Sequence, residues 1–374
     1  MISPDFFIEK LRDEGVAFFT GVPDSLLKNI CAYITDHFDD RHNIIAANEG
    51  GAVALAAGYH LATGKVGCVY MQNSGEGNAV NPLASLTDSE VYHIPLLLLI
   101  GWRGRPGVHD EPQHVKQGKI TTALLDVMGI NYEVLSKEED MASKQVENAL
   151  ASIRTTGNAY ALVVEKDTFE GYSLQKGSVT EYTMSREEAI QMVAASIPTD
   201  AVIVSTTGMI SRELFEYRTA MGQGHERDFL TVGSMGHASM IALGIALQQP
   251  DRKVYCFDGD GATIMHMGNM AIVGSKHPSN YLHIVFNNGA HDSVGGQPTV
   301  GHEIDLVAIA YAMHYEKAVC VHTPDQLKAA LDNRLTNGLQ LIEVRVKKGN
   351  RKDIGRPTTT PIENKMALMD FLKQ

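Results

Sequence analysis

Residues 94–100 (IPLLLLI) form an apolar run with no polar alternation. It is far shorter than the roughly 20 residues a membrane-spanning helix needs. A run of this length reads as a strand buried on both faces, and such strands belong in parallel sheets covered by helices on either side. The rest of the chain keeps the same rhythm. Strand-like runs at 17–22, 43–47, 66–71, 95–101 and 159–165 alternate with amphipathic segments at 24–37, 49–63, 115–128 and 137–153. The polar, Gly-bearing stretch 167–185 breaks that rhythm. It resumes with a helix at 186–197 and strands near 201–205, 229–233, 253–258, 281–287, 316–321 and 339–346. The expected fold class is α/β, with two doubly wound parallel-sheet domains at 1–168 and 186–374 joined by a linker at 169–185. The basic, Pro/Thr-rich segment 347–361 reads as an extended, solvated arm before a last helix at 362–372.

Composition narrows the class further. The chain has 374 residues, is 44% hydrophobic and carries a formal charge of −12, so its overall field repels polyanions and a nucleic-acid partner is not expected. A small anion is still acceptable where helix N-termini, Arg or a bound cation reverse the sign locally. Cys31, Cys68, Cys256 and Cys320 are scattered with no Cys-x-x-Cys pair, which sets aside a disulfide framework and a Cys-rich zinc site. A reducing cytoplasm and no membrane association are expected. Several catalytic signatures fail. Gly58 to Gly64-Lys65 is one residue too long for a phosphate loop, and Ile264 stands where a dinucleotide fingerprint needs its third Gly. No Ser lies in a nucleophile elbow, and His109 and His114 are five apart rather than four.

Two patterns in the second half survive. The strand at 253–257 runs into Asp258-Gly259-Asp260-Gly261-Ala262, where glycines and a helix start suit a phosphate. An acidic residue there repels phosphate unless a divalent cation lies between the two. The next strand ends in Asn287-Asn288-Gly289-Ala290 at the same rim of a parallel sheet, where an amide oxygen can complete the coordination. Each motif alone is also met by a tight turn. In the first half, Glu49 opens a helix rich in small residues (Gly50, Gly51, Ala52, Ala54, Ala56, Ala57), a place where its carboxyl is buried and its pKa raised. An acidic residue in a helix's first turn is the plainer alternative.

The Gly-Asp-Gly and Asn-Asn pair, at 28 residues from Asp260 to Asn288, resembles the signature of the thiamine-diphosphate-dependent enzymes. That resemblance implies thiamine diphosphate and Mg²⁺ as cofactors and two domains of the thiamine-diphosphate-binding fold: a pyrimidine-binding half first, a diphosphate- and Mg-binding half second. It implies Asp260, Asn288 and the carbonyl of Ala290 as metal ligands; a count one residue shorter points to Asn287 and Gly289. Glu49 becomes the catalytic acid on the aminopyrimidine. Gly233, Ser234 and Met235 become pyrimidine contacts, and Thr206, Thr207, Gly259, Gly261 and Ala262 line the diphosphate.

No middle domain separates the halves. This form, with segments such as Thr20-Gly21-Val22-Pro23-Asp24-Ser25 and Gln72-Asn73-Ser74-Gly75, is similar to the compact decarboxylases of the family acting on phosphonate- or sulfonate-bearing 2-oxo acids. The implied substrate is a small dianionic 2-oxo acid, 3-phosphonopyruvate, giving phosphonoacetaldehyde and CO₂, with sulfopyruvate as the alternative. Asp24, His109 and His114 are implied as proton-relay residues, and Asp24 is equally explained as the N-cap of the helix at 25–37. Ser25, Arg103, Arg105, Lys116 and Arg212 are the candidate anion contacts. The family's mode of cofactor binding implies a homodimer or larger assembly with active sites between subunits.

Overall fold

The structure, a computed structural model, describes residues 1–176 and 180–374; the centre of the expected linker, 177–179, lies outside the described residues. The chain forms two compact units. The first takes the residues up to 176 together with Ser293–Gln297, and the second takes the remainder.

The first unit holds β1 (Phe19–Gly21), β2 (Asn43–Ile45), β3 (Gly67–Gln72), β4 (Leu96–Gly101), β5 (Asn131–Val134) and β6 (Tyr160–Val164). They form one parallel sheet in the order β2-β1-β3-β4-β6-β5. The second unit holds β7 (Val202–Ser205), β8 (Asp228–Leu230), β9 (Val254–Gly259), β10 (Tyr281–Asn287), β11 (Lys317–Val321) and β12 (Gln340–Arg345). Read from its other edge, their order is β8-β7-β9-β10-β12-β11, again parallel throughout. Adding six to each strand of the first sheet reproduces the second, so the units share one winding. In both, the direction of winding reverses between the first and third strands, where open α/β sheets place ligands.

The apolar runs do what their composition demands. In β4, Leu97 and Leu99 face one core cluster while Leu96, Leu98 and Ile100 face the other, all five essentially without exposure. Each such side chain contributes about 1.5–3 kcal/mol relative to leaving it in water. On the second face the helix Glu49–Thr63 lies close, burying Ala52, Val53, Ala56 and Ala57. A Cβ on Gly67 would stand 3.1 Å from the Cβ of Ala56, so both small residues are needed for this approach. Asn48 caps the helix start, its side chain accepting the Gly51 N–H at 2.8 Å, and Gly64 ends it at φ 70°.

Three expectations shift. The second helix spans Lys28–His37 with Leu27 at its cap, so Asp24 is not an N-cap; a turn separates the two. An additional strand, β5, forms the sheet edge, where its polar, half-exposed residues need no apolar alternation. The arm at 347–361 is tied down rather than solvated throughout, because Arg351 pairs with Glu187 and Glu216 and the Lys347 N–H donates to Met184. Among the described residues no helix is long and apolar enough to cross a membrane.

Candidate active site

The carboxyl ends of β2, β1, β3 and β4 lie side by side in the first sheet, and each delivers polar residues to one rim. From the end of β2, Glu49 enters as the first residue of its helix with only 5% of its surface exposed. The Asn78 amide donates to its Oε2 at 2.7 Å. Gly75 backs the same carboxyl so closely that a Cβ there would lie 2.4 Å from Oε1. Burial raises the Glu49 pKa, opposed only in part by the Asn78 hydrogen bond.

β1 delivers Asp24, fully buried, with Gln72 Nε2 donating to Oδ1 at 2.6 Å and the Leu26 N–H to Oδ2 at 2.9 Å. Burial raises its pKa too. Gly101 at the end of β4 is what admits it, since a Cβ there would meet Oδ2 at 2.2 Å. Arg103 follows on the same strand end. Its Nη1 donates to Ser25 Oγ at 2.6 Å, while Nε and Nη2 grip Asp110 at 2.8 and 2.5 Å. Asp24, Ser25, Gln72, Arg103 and Asp110 therefore form one network.

Among the described residues, the other basic candidates of this unit do not join it by a hydrogen bond. Arg105 pairs with Glu165 at 2.6 Å and lies over the Trp102 ring. His109 and Lys116 are exposed. His114 is buried in the first turn of the helix Pro112–Val127, and burial with the nearby Arg103 charge pushes its pKa down to about 4, so it is neutral at pH 7. Its Nδ1 has no partner among the described residues.

A further acid was not singled out from the sequence. Glu76, next to Gly75 in the helix Glu76–Pro82, is 2% exposed, with the Thr121 hydroxyl as its polar neighbour. Burial pushes its pKa up to about 8. Asp110, the holder of Arg103, also went unassigned. A single acid gives no periodic signal, and only the fold shows what it faces.

The second sheet repeats the arrangement with different chemistry. β9 ends at Gly259 and Asp260 opens the next helix, 2% exposed, with the Thr299 hydroxyl donating to Oδ2. Burial raises its pKa to about 6 against the Thr299 hydroxyl and backbone N–H donors. Gly301 closes over it; a Cβ there would stand 2.7 Å from both Asp260 Oδ2 and Asn287 Oδ1. Gly261 likewise leaves room for the His291 ring, 3.1 Å from where its Cβ would be, and Ala262 is buried.

At the end of β10, Asn287 spends both amide hydrogens on Gly301 O (2.7 Å) and Glu343 Oε1 (2.8 Å). Asn288 donates to Asp292 Oδ2 at 2.6 Å, and its Oδ1 accepts the Ala290 N–H at 3.1 Å. The Gly289 carbonyl accepts the Thr299 N–H at 3.0 Å.

Beyond β8, Gly233, Ser234 and Gly236 all take left-handed backbone (φ 74°, 49° and 82°), which ends the strand early and turns the Met235 segment. A non-Gly residue there is held at a cost of about 1–3 kcal/mol, a mark of functional loops. The Gly233 N–H donates to Thr207 Oγ1 at 3.2 Å, joining this loop to the end of β7, where Thr206 is buried. Arg212 is half-buried in the helix Met209–Ala220 with no side-chain partner among the described residues.

The second rim offers hard oxygen donors beside glycines that open space and a helix start. This donor set suits a small hard cation held against a diphosphate. Residues 4–126 match the N-terminal TPP binding domain of the thiamine pyrophosphate enzymes, and residues 206–344 match the C-terminal one. The chain is 35% identical to a phosphonopyruvate decarboxylase of Streptomyces viridochromogenes, over 97% of this chain and 93% of that protein. It is 32% identical to one of Streptomyces hygroscopicus (99% and 94%) and 26% identical to a sulfopyruvate decarboxylase of Methanosarcina acetivorans (92% and 91%). With both binding domains matched and relatives alike from end to end, the chain belongs to the thiamine pyrophosphate enzymes.

Proposed function

We propose that the chain decarboxylates 3-phosphonopyruvate to phosphonoacetaldehyde and CO₂ with thiamine diphosphate and Mg²⁺. The likeness to two phosphonopyruvate decarboxylases over nearly the full length of both chains carries this reading. In the reaction the bond from the carboxylate to the 2-oxo carbon breaks, its electron pair stays on that carbon, a proton is added there and CO₂ departs. Thiamine diphosphate, when bound, supplies the electron sink for that pair.

The residues have separable tasks. Glu49, its Oε2 steadied by Asn78, holds a proton for N1′ of the aminopyrimidine, and its raised pKa suits a shared proton. Asp260, Asn288 Oδ1 and the Ala290 carbonyl are three oxygen donors for Mg²⁺. Asn288 is favoured over Asn287 by the family resemblance, both side chains being hydrogen-bonded alike, and Ala290 over Gly289, whose carbonyl already accepts the Thr299 N–H. Gly233 and Met235 hold the pyrimidine by backbone groups, with Ser234 setting the turn. Thr206, Thr207, Gly259, Gly261 and Ala262 face the diphosphate.

Arg103 and Ser25, already joined, form a fork for the substrate's oxyanion, and Arg212, with no side-chain partner among the described residues, is a further cation for that class of ligand. Asp24 moves the product proton, with His114, buried and neutral, as its second carrier; Arg105 is already paired with Glu165, and His109 and Lys116 are exposed, which makes these three weaker candidates. One observation favours the sulfonate reading: Asp110 already offsets the Arg103 charge, which suits a monoanion. The chain is read as a cytoplasmic homodimer or larger assembly with active sites between subunits, consistent with four cysteines that are all free.

The test is CO₂ release from 3-phosphonopyruvate and, in parallel, from sulfopyruvate, with and without thiamine diphosphate and Mg²⁺. Cofactor-dependent turnover of the phosphonate is expected. Turnover of sulfopyruvate alone would keep the chemistry and move the substrate, and inactivity on both would overturn the reading.

A further inference from the structure

Asn288 is held by a buried ionic chain that begins far from it in sequence. Its Nδ2 donates to Asp292 Oδ2 at 2.6 Å. The same oxygen accepts the Gly349 N–H at 2.8 Å and lies 3.4 Å from Arg186 Nη1. Arg186 is in turn gripped by Glu213, Nε to Oε2 at 2.8 Å and Nη2 to Oε1 at 2.9 Å. Arg186 and Glu213 are 5% and 1% exposed, so neither charge is solvated enough to be there without the other. The start of one helix and the C-terminal arm thus converge on one carboxylate oxygen, and the middle of a second helix braces the Arg.

An amide can present either its oxygen or its NH₂ to a given direction, and the two ends have opposite effects on a cation. An ionised carboxylate only accepts hydrogen bonds, so it admits the NH₂ end alone. Asp292 therefore fixes which way Asn288 faces and leaves Oδ1 on the other side, where it accepts the Ala290 N–H. The charge on Asp292 strengthens that bond beyond a neutral one. Arg186, braced by Glu213, and the Gly349 N–H keep Asp292 from turning away.

We propose that Asp292 is a positioning residue for the divalent cation, orienting the Asn288 oxygen, and that the Arg186–Glu213 pair and the arm at Gly349 hold Asp292 for that task. This rests on the reading of Asn288 as a metal ligand. Groups that orient a ligand from behind typically change metal affinity by roughly 10–100-fold when removed. The measurement is Mn²⁺ affinity of the full chain with thiamine diphosphate present, by electron paramagnetic resonance of free Mn²⁺, which needs no turnover.

Asp292→Asn, of the same shape, is expected to weaken Mn²⁺ binding by that factor. In an Asn288→Asp background the same change is expected to cost nothing further, because a carboxylate has two like oxygens and needs no orienting. Equal losses in both backgrounds would mean that Asp292 acts only through the fold and would overturn the proposal. Asn288→Ala separates the two readings. If it abolishes binding while Asp292→Asn leaves affinity unchanged, only the positioning role falls; if it leaves affinity unchanged, the ligand assignment falls and the positioning role with it. Should Asp292→Asn fail to fold, Asp292→Glu keeps the charge, displaces it by one methylene and is held to the same outcomes.

Discussion

The two units wind identically, yet the same strand ends carry opposite chemistry. At the end of the third strand of each sheet stand Gln72 and Asn73 in one and Gly259 and Asp260 in the other. Beyond the fourth strand stand Arg103 and Asn288. In the first unit Glu49 has the Asn78 amide and Glu76 the Thr121 hydroxyl, each opposing burial only in part, so burial raises both. The second surrounds Asp260 with a hydroxyl and several N–H groups. Burial raises Asp260 too, to about 6, so it is charged at pH 7, whereas Glu76 near 8 keeps its proton there. The scaffold supplies position only, and a few substitutions at strand ends decide the rest.

If this division is right, mutations in the first rim change proton handling without touching metal affinity, and those in the second do the reverse. Glu49→Gln is expected to lower kcat about 10²–10⁴-fold, the range of general acid–base catalysis, with Mn²⁺ affinity unchanged. A loss of metal binding in that variant would break the division.

Glu76→Gln probes the same rim through stability. A carboxyl at about 8 in the folded chain and 4.5 unfolded binds its proton more tightly when folded, so its contribution turns unfavourable as pH rises above 4.5 and levels off above 8. The cost in the wild type is on the order of 5 kcal/mol at pH 9. The variant is expected to flatten that slope and to melt higher than wild type at pH 9, as read by thermal unfolding across pH 5–9.

Asp260→Asn is expected to raise the Mn²⁺ dissociation constant by more than the roughly 10–100-fold typical of groups that merely orient a ligand. Wild-type affinity in that variant would remove the second rim's role. The smallest effect is assigned to Arg103→Lys. It loses the fork to Asp110 and Ser25, and kcat/KM is expected to fall by about 1.5–3 kcal/mol in free-energy terms, chiefly through KM.

The fold was legible because buried parallel strands such as β4 and β10 leave uninterrupted apolar runs. β5 was not, since Asn131 and Glu133 at a half-exposed edge carry no such run. Asp260 and Asn288 were read as a spaced pair, and Glu49 because the family resemblance asks for one Glu where a strand meets a helix. Asp110, Glu76 and Asp292 were missed for a common reason. Each acts on a group brought to it by tertiary packing, and nothing in the neighbouring residues announces a buried acid. Helix starts were also misplaced where a turn intervenes, as between Asp24 and Lys28.

The buried Glu76 carboxyl has a thermal consequence. A chain that folds at pH 7 with this group near 8 takes up close to one proton from its surroundings. The heat of unfolding therefore includes the protonation heat of whatever buffer receives it. Calorimetry in buffers of contrasting ionisation enthalpy would count that proton directly.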